Sequence, residues 1–207
     1  MAVLYSADFV GADTDPIGGN YSTITGLTSC QRLSNALAGS SSGDCGVYVN
    51  SITTPNDCYC ETTVPPGNTP PDEGGSICRV DEVNNNFYLA MWVGTGGGSE
   101  VHLYRWNNGT KTLLDNQPFS PGAPFKLRIS ALGSLIRAYV NGALKCTATD
   151  GNFATGKAGF FITRGADPTI FTASTIEIGD LIVHSGTIYS NFKTSHRPAP
   201  FMPGNAR

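Results

Sequence analysis

The chain has 207 residues, of which 40% are hydrophobic, 10% aromatic and 14% charged, and its net charge is −3. That length suits one large domain, and the apolar content excludes global disorder. So few charges exclude the solvated Glu and Lys faces of a helical bundle or coiled coil, and the mild acidity excludes nucleic acid held by phosphate neutralisation.

Short runs rich in Val, Ile, Thr, Tyr and Phe alternate with Gly- and Pro-based turn signals, the pattern of an all-β sandwich or barrel. Taken in chain order, strands are predicted over 3–9, 20–25, 30–37, 46–52, 57–63, 76–82, 87–93, 100–106, 111–115, 125–131, 134–140, 143–148, 157–163 and 174–184. The opening MAVLYSADFVGAD has neither a basic n-region nor an apolar h-region, and no run approaches the ~18 apolar residues of a membrane helix. Neither a secretory signal nor membrane insertion is therefore expected. SNALAGSSS, residues 34–42, is the only faintly helical stretch, and VPPGNTPPDEGG, residues 64–75, reads as an extended surface loop.

Three hairpins are specified by local chemistry. FYLAMWV and EVHLYRW flank GTGGGS; EVHLYRW and KTLLD flank NNGT; LIRAYV and ALKCTA flank Asn141-Gly142, the strongest two-residue type I′ signal. Alternation predicts Leu127 and Ile129 facing inward and Lys126 and Arg128 facing outward. Residues 1–184 form the predicted sandwich domain. Residues 185–207 differ: they hold three cations, no Asp or Glu, and the apolar residues Ile188, Tyr189, Phe192, Phe201 and Met202. That composition fits an extended cationic arm that docks on a neighbouring subunit through Tyr189, Phe192, Lys193, Arg197 and Phe201 rather than a solvated tail.

Six cysteines are present, five of them between residues 30 and 78. A zinc site lacks the usual CxxC pairs, and the nearest histidine is His102. The expectation is small buried hydrophobes with one or two disulfides.

No run of acids matches the alternating carboxylates of a sandwich-fold glycosidase, in which a retaining pair lies ~5–5.5 Å apart, so no catalytic residue is assigned. His102, Tyr104 and Trp106 share one face of a strand, with Arg105 pointing away, a weak echo of the base and cation of a polysaccharide lyase. Gly39–Gly43 matches G-x-S-x-G without the helix the motif needs, and GTGGGS likewise precedes no helix that would bind phosphate. Tyr88, Trp92, Tyr104 and Trp106 form either a sugar-stacking platform or core. Leu89, Met91 and Val93 claim the other face of Trp92's strand, which assigns Trp92 to the core. Trp106 abuts the Asn107-Asn108-Gly109 turn and is expected to reach the surface. His102, Tyr104, Trp92 and Trp106 are the candidate ligand-binding residues.

FKLRISALGSLIRAYVNGALKCTATDGNFATGKAGFFI resembles the core signature of concanavalin A-like, laminin-G-like jelly rolls, with Leu127–Gly133, Ile136–Gly142, Asp150 and Gly156–Phe161 matching. YLAMWVGTGGGSEVHLYRWNNGTKTLLD, the opening YSADFVGADTDPIGGNYSTITG (with Tyr21 where Trp is commoner) and the closing IEIGDLIVHSG extend the resemblance over residues 5–185. It implies an all-β, two-sheet antiparallel jelly-roll β-sandwich with a C-terminal arm. It also implies a structural Ca²⁺ held by Asp8 and Asp180, with Asp13 and Asp15 as alternatives.

The expected function is non-catalytic: a structural or adhesive component of a bacteriophage virion surface, a capsid decoration or tail-associated module. Its expected partners are other virion or surface proteins, in a homo-oligomer or larger assembly, and cell-surface glycans. The alternatives are a lectin-like carbohydrate-binding module and, after it, a polysaccharide lyase or glycoside hydrolase of the same fold.

Overall fold

The structure, a computed structural model, describes residues 2–9, 17–33, 36–39, 43–64, 73–95, 98–120, 124–164 and 175–181. Among them every regular element is a strand: β1 (Ala2–Asp8), β2 (Tyr21–Thr23), β3 (Cys30–Leu33), β4 (Ala36–Gly39), β5 (Gly43–Val49), β6 (Cys58–Val64), β7 (Glu73–Asp81), β8 (Asn86–Thr95), β9 (Gly98–Asn107), β10 (Thr110–Pro118), β11 (Phe125–Leu132), β12 (Leu135–Val140), β13 (Ala143–Thr149), β14 (Lys157–Arg164) and β15 (Thr175–Asp180). A six-stranded sheet runs β1-β15-β6-β11-β12-β13 and a seven-stranded sheet runs β10-β9-β8-β7-β14-β5-β2, with every strand pair antiparallel. The predicted strand over 30–37 is instead the β3–β4 hairpin. The faintly helical stretch contributes β4, all four residues of which are buried, so its short apolar run carried no usable periodicity.

The hairpins form where local chemistry requires them. At the β12–β13 turn Asn141 has φ 48° and Gly142 φ 82°, and at the β9–β10 turn Asn108 has φ 45° and Gly109 φ 85°, the left-handed pairs of a type I′ turn. In β11 Phe125, Leu127, Ile129 and Ala131 face the core, while Lys126 and Arg128 lie on the outside. β7 breaks register between Cys78 and Asp81. There Arg79 takes φ 52° and turns inward, donating from Nε to Asn56 O (3.1 Å) and from Nη1 to Phe153 O (3.0 Å).

The seven-stranded sheet is buried on both faces. Tyr88, Ala90 and Trp92 of β8 point into the core between the sheets. Phe87, Leu89, Met91 and Val93 point the other way, into a second core with Ile24, Ile77, Val80, Trp106 and Phe161. Curl explains the second core. β10 and β14 are separated by three strands, ~19 Å in a flat sheet. Yet Lys111 Nζ of β10 lies 3.2 Å from Thr163 Oγ1 of β14. Accumulated right-handed twist has brought diagonally opposite corners of the sheet together over its own outer face. Ile24 and Leu27 fold over the same face where Gly46 leaves room; a Cβ there would meet Leu27 Cδ1 at 2.5 Å.

All six cysteines are buried free thiols, and all line the core between the sheets, which corrects the expected disulfides. They act as small apolar fillers whose weak donors find backbone carbonyls: Cys60 Sγ to Gly159 O (3.2 Å) and Cys146 Sγ to Val101 O (3.3 Å). β15 ends at Asp180, short of the predicted 184. The arm of residues 185–207, with Tyr189, Phe192, Lys193, Arg197 and Phe201, lies outside the described residues.

Candidate functional site

Cross-strand register lays out the outer face of the seven-stranded sheet in rows. Asp44 opposes Thr163, Thr163 opposes Glu73, Glu73 opposes Val93 and Val93 opposes Glu100. One step along, Met91 opposes His102, and His102 opposes Asn116. One step further, Leu89 opposes Tyr104. At the far end Phe87 opposes Trp106, which opposes Lys111. The face thus has a polar end, at Glu73, Glu100, His102 and Asn116, and an aromatic end.

The aromatic end is sealed. Trp106 stacks on Phe87 (ring centroids 5.4 Å, interplanar 8°), meets Phe161 at 5.1 Å, and lies under Lys111 Nζ at 5.4 Å. Its exposure is 2%, which corrects the expectation that it reaches the surface: the sheet's curl covers the ring, and the adjacent turn does not expose it. Trp92 sits in the core between the sheets, tilted against Phe125 at 6.3 Å, as its opposing neighbours indicated. The four aromatics therefore form no shared platform. Tyr88 and Trp92 face inward, while Tyr104 and Trp106 face outward.

The polar end is organised around His102, whose side chain is 13% exposed. His102 Nε2 lies 2.6 Å from Glu100 Oε2, and Nδ1 lies 2.6 Å from the Tyr104 hydroxyl. A carboxylate only accepts, so Nε2 carries the proton toward Glu100 and, in a neutral ring, Nδ1 accepts from Tyr104. Asn116 Nδ2 donates to the same Glu100 oxygen at 3.1 Å. The His102 and Asn116 bonds hold the Glu100 carboxyl below the usual carboxylate range. Burial pushes the Tyr104 hydroxyl up, helped by the charges of Glu73 and Glu100, so it stays protonated. Glu73 differs from the rest. Burial pushes its carboxyl up, and the charges of Lys111 and His102 only moderate the rise. Among the described residues no hydrogen bond or ion pair reaches it. Lys111 is committed elsewhere, to Thr163 and, at 3.9 Å, to Asp44.

Two other polar clusters are internally satisfied. Glu61 on the outer face of the six-stranded sheet is held by Lys126 Nζ and Arg128 Nε, both at 2.9 Å, and its cross-strand neighbour Glu177 accepts from the Tyr59 hydroxyl at 2.7 Å. Asp150 Oδ1 accepts from the Tyr88 hydroxyl (2.7 Å), Asn152 N (2.9 Å) and Asn152 Nδ2 (2.7 Å), and Oδ2 accepts from Arg105 at 2.6 Å.

The residues do not fit the expected calcium site. In the β1–β15 pair Asp8 opposes Thr175 while Asp180 opposes Ala2, at the other end of the ladder. Six residues of strand separate them, ~20 Å, too far for one ion with ligands at ~2.4 Å. Asp13 and Asp15 lie outside the described residues, and among those described no three His, Cys, Asp or Glu side chains are grouped to hold a metal.

Sequence reasoning placed His102 and Tyr104 on one face and missed Glu73, Glu100 and Asn116. Glu100 was within reach, two residues from His102 in the same strand. Glu73 and Asn116 are brought in only by strand order.

No protein-family model matches the chain, and no curated protein does. Solved structures do. The carbohydrate-binding module CBM66 from Bacillus subtilis is 18% identical, with a TM-score of 0.57 over 78% of this chain and 92% of that one. The potassium-bound carbohydrate recognition domain of Emp46p is 10% identical, with a TM-score of 0.54 over 79% of this chain and 90% of that one. A structure described with endo-acting O-glycanases of the human gut microbiota is 9% identical, with a TM-score of 0.59 over 87% of this chain and all of that one. At such identities the likeness is one of fold. The chain has the jelly-roll β-sandwich fold of these structures, as its residues indicated.

Proposed function

We propose that the protein is a glycan-binding module that acts without catalysis, and that its ligand is held at the polar end of the outer face of the seven-stranded sheet. The observation that carries this reading is Glu73, a half-buried carboxylate without a hydrogen-bond or ion-pair partner among the described residues, set beside the ordered Tyr104–His102–Glu100–Asn116 network. Sugar hydroxyls donate and accept, and a site that binds them needs fixed polar groups of both kinds. Glu73 supplies an acceptor, the Tyr104 oxygen a second one, and the remaining Nδ2 hydrogen of Asn116 a donor. The fold shared with a carbohydrate-binding module and a carbohydrate recognition domain supports the reading. Among the described residues no exposed ring takes part, so affinity comes from hydrogen bonds at the rim and not from stacking. The arm expected to dock on neighbouring virion-surface subunits, residues 185–207, lies outside the described residues, which carry the glycan reading.

A glycan array followed by calorimetry on the best saccharide tests this. Glu73→Gln and His102→Ala are each expected to weaken binding by about tenfold, the cost of one charge-assisted hydrogen bond, with the melting temperature little changed. Absence of binding at millimolar saccharide removes the reading, and release of new reducing ends during the assay makes the protein a hydrolase instead.

A further inference from the structure

We propose that residues 187–194 of this chain add a strand to the outer edge of β1, in the same molecule, and so cover the bare margin of the six-stranded sheet. β1 stands at the end of that sheet's strand order, with β15 on one side and, among the described residues, no strand on the other. An edge strand offers a row of unpaired amides and carbonyls, and proteins guard it with brevity, charge, proline, a bulge or a cover. The other margins of the two large sheets are guarded. β2 has three residues. β10 holds Lys111, breaks register between Leu113 and Asp115 and ends on Pro118. β13 is capped across the sandwich, where Thr147 N donates to Asp115 Oδ2 at 2.8 Å. β1 has seven residues, no Lys, no Pro and a single charge, Asp8, at its end. Its register shift between Val3 and Tyr5 sets Leu4 out of the ladder, and Val3 and Leu4 are 56% and 41% exposed. A long edge that carries apolar side chains into solvent is a surface for another strand.

The chain itself supplies that strand. Asp180 at the end of β15 opposes Ala2, and Gly179 opposes Val3, so the chain leaves the sheet at the apolar end of β1. Leu181, whose N–H donates to Asp57 O at 3.1 Å, is the last described residue. Residues 187–194 read TIYSNFKT, rich in β-branched and aromatic side chains and without proline; Gly186 precedes them, and Pro198, Pro200 and Pro203 follow. They lie outside the described residues, so their sequence and their tether carry the assignment. Reaching the far side of β1 from β15 takes two strand spacings, about 10 Å, and residues 182–186 span up to about 17 Å. A linker that spans its site gives an effective concentration of about a millimolar, which favours the chain's own segment over that of a second copy. Entering at Ala2 and running parallel to β1, the segment sets Ile188 beside Val3 and Leu4 and brings Lys193 toward Asp8. Charge agrees: residues 185–207 hold three cations and no acid, while the chain as a whole is net −3.

Amide exchange of the full chain, read residue by residue by NMR alongside light scattering, tests this. The β1 amides that point away from β15 are expected to exchange at least about tenfold more slowly than those of an open edge, in a monomer, and to keep that protection over about a hundredfold dilution. Tyr189→Pro, which removes a strand amide and fixes φ, is expected to abolish it and leave the other strands' amides unchanged. Ala199→Pro, beyond the pairing segment, is expected to preserve it. Open-edge exchange at β1 in the parent overturns the proposal, as does protection that survives Tyr189→Pro or is lost equally in both variants. Protection that disappears on dilution, with a dimer at high concentration, overturns it too, because the strand then comes from a second copy.

Discussion

Asp150 shows how much one side chain can fasten. Its two oxygens take four donors, from Tyr88, Asn152 twice and Arg105, and tie the segment after β13 to the middle of the seven-stranded sheet. Burial alone would raise its carboxyl, but the Tyr88 hydroxyl, the Asn152 amides and the Arg105 charge outweigh it and hold the group down at about 2. Its folded value lies below the unfolded one near 3.9, so it adds stability above about pH 4 and loses it as the pH falls toward 2. The contribution is about 2 kcal/mol. Asp150→Asn is expected to cost about that much at pH 7 in urea unfolding, with the gap from the parent closing between pH 4 and 2. Nothing local in the sequence marks this role. Asp150 reads as a loop acid because Tyr88 and Arg105 are 62 and 45 residues away. Trp106 misled for the same reason: the turn beside it is visible in the chain, whereas Phe161, which covers it, is not.

At the level of the elements, the closure of the seven-stranded sheet decides what its outer face can do. Phe87, Trp106 and Phe161 are mutually packed and fully covered, so Trp106→Ala is expected to cost about 3–5 kcal/mol through the cavity it leaves. Lys111→Ala, which removes only partly exposed contacts to Asp44, Thr163 and two ring faces, is expected to cost about 1 kcal/mol. Chemical denaturation of both variants checks the ratio; a mild Trp106 effect would mean that the ring is open to solvent after all. Strands and hairpins were legible because alternation and Asn-Gly turns act over two to ten residues. The closure was not, because twist adds up strand by strand and only the order β10-β9-β8-β7-β14 fixes which corners meet. The candidate site was half legible for the same cause. His102 and Tyr104 come from one strand, whereas Glu73 and Asn116 come from two others.

Across the whole molecule, the core between the sheets absorbs all six cysteines. Burial pushes the thiols of Cys58 and Cys146 up to about 12, and those of Cys30, Cys60 and Cys78 higher still, so none of these five forms a reactive thiolate near neutral pH. The native protein is expected to resist thiol-modifying reagents and to release six reactive thiols on unfolding in guanidinium, with a melting temperature unmoved by reductant. Fewer than six thiols, or a drop in melting temperature with reductant, would mean that covalent bridges exist.

The latch of Lys111 onto Thr163 also divides labour within a single sheet. Packed rings and aliphatic side chains lie on one side of it, while Glu73, Glu100, His102 and Asn116 stand beyond it with little apolar surface of their own. If the proposed glycan reading holds, exchanging those four residues changes the ligand without loosening the scaffold, so a lineage built on this frame can alter its diet faster than its shape.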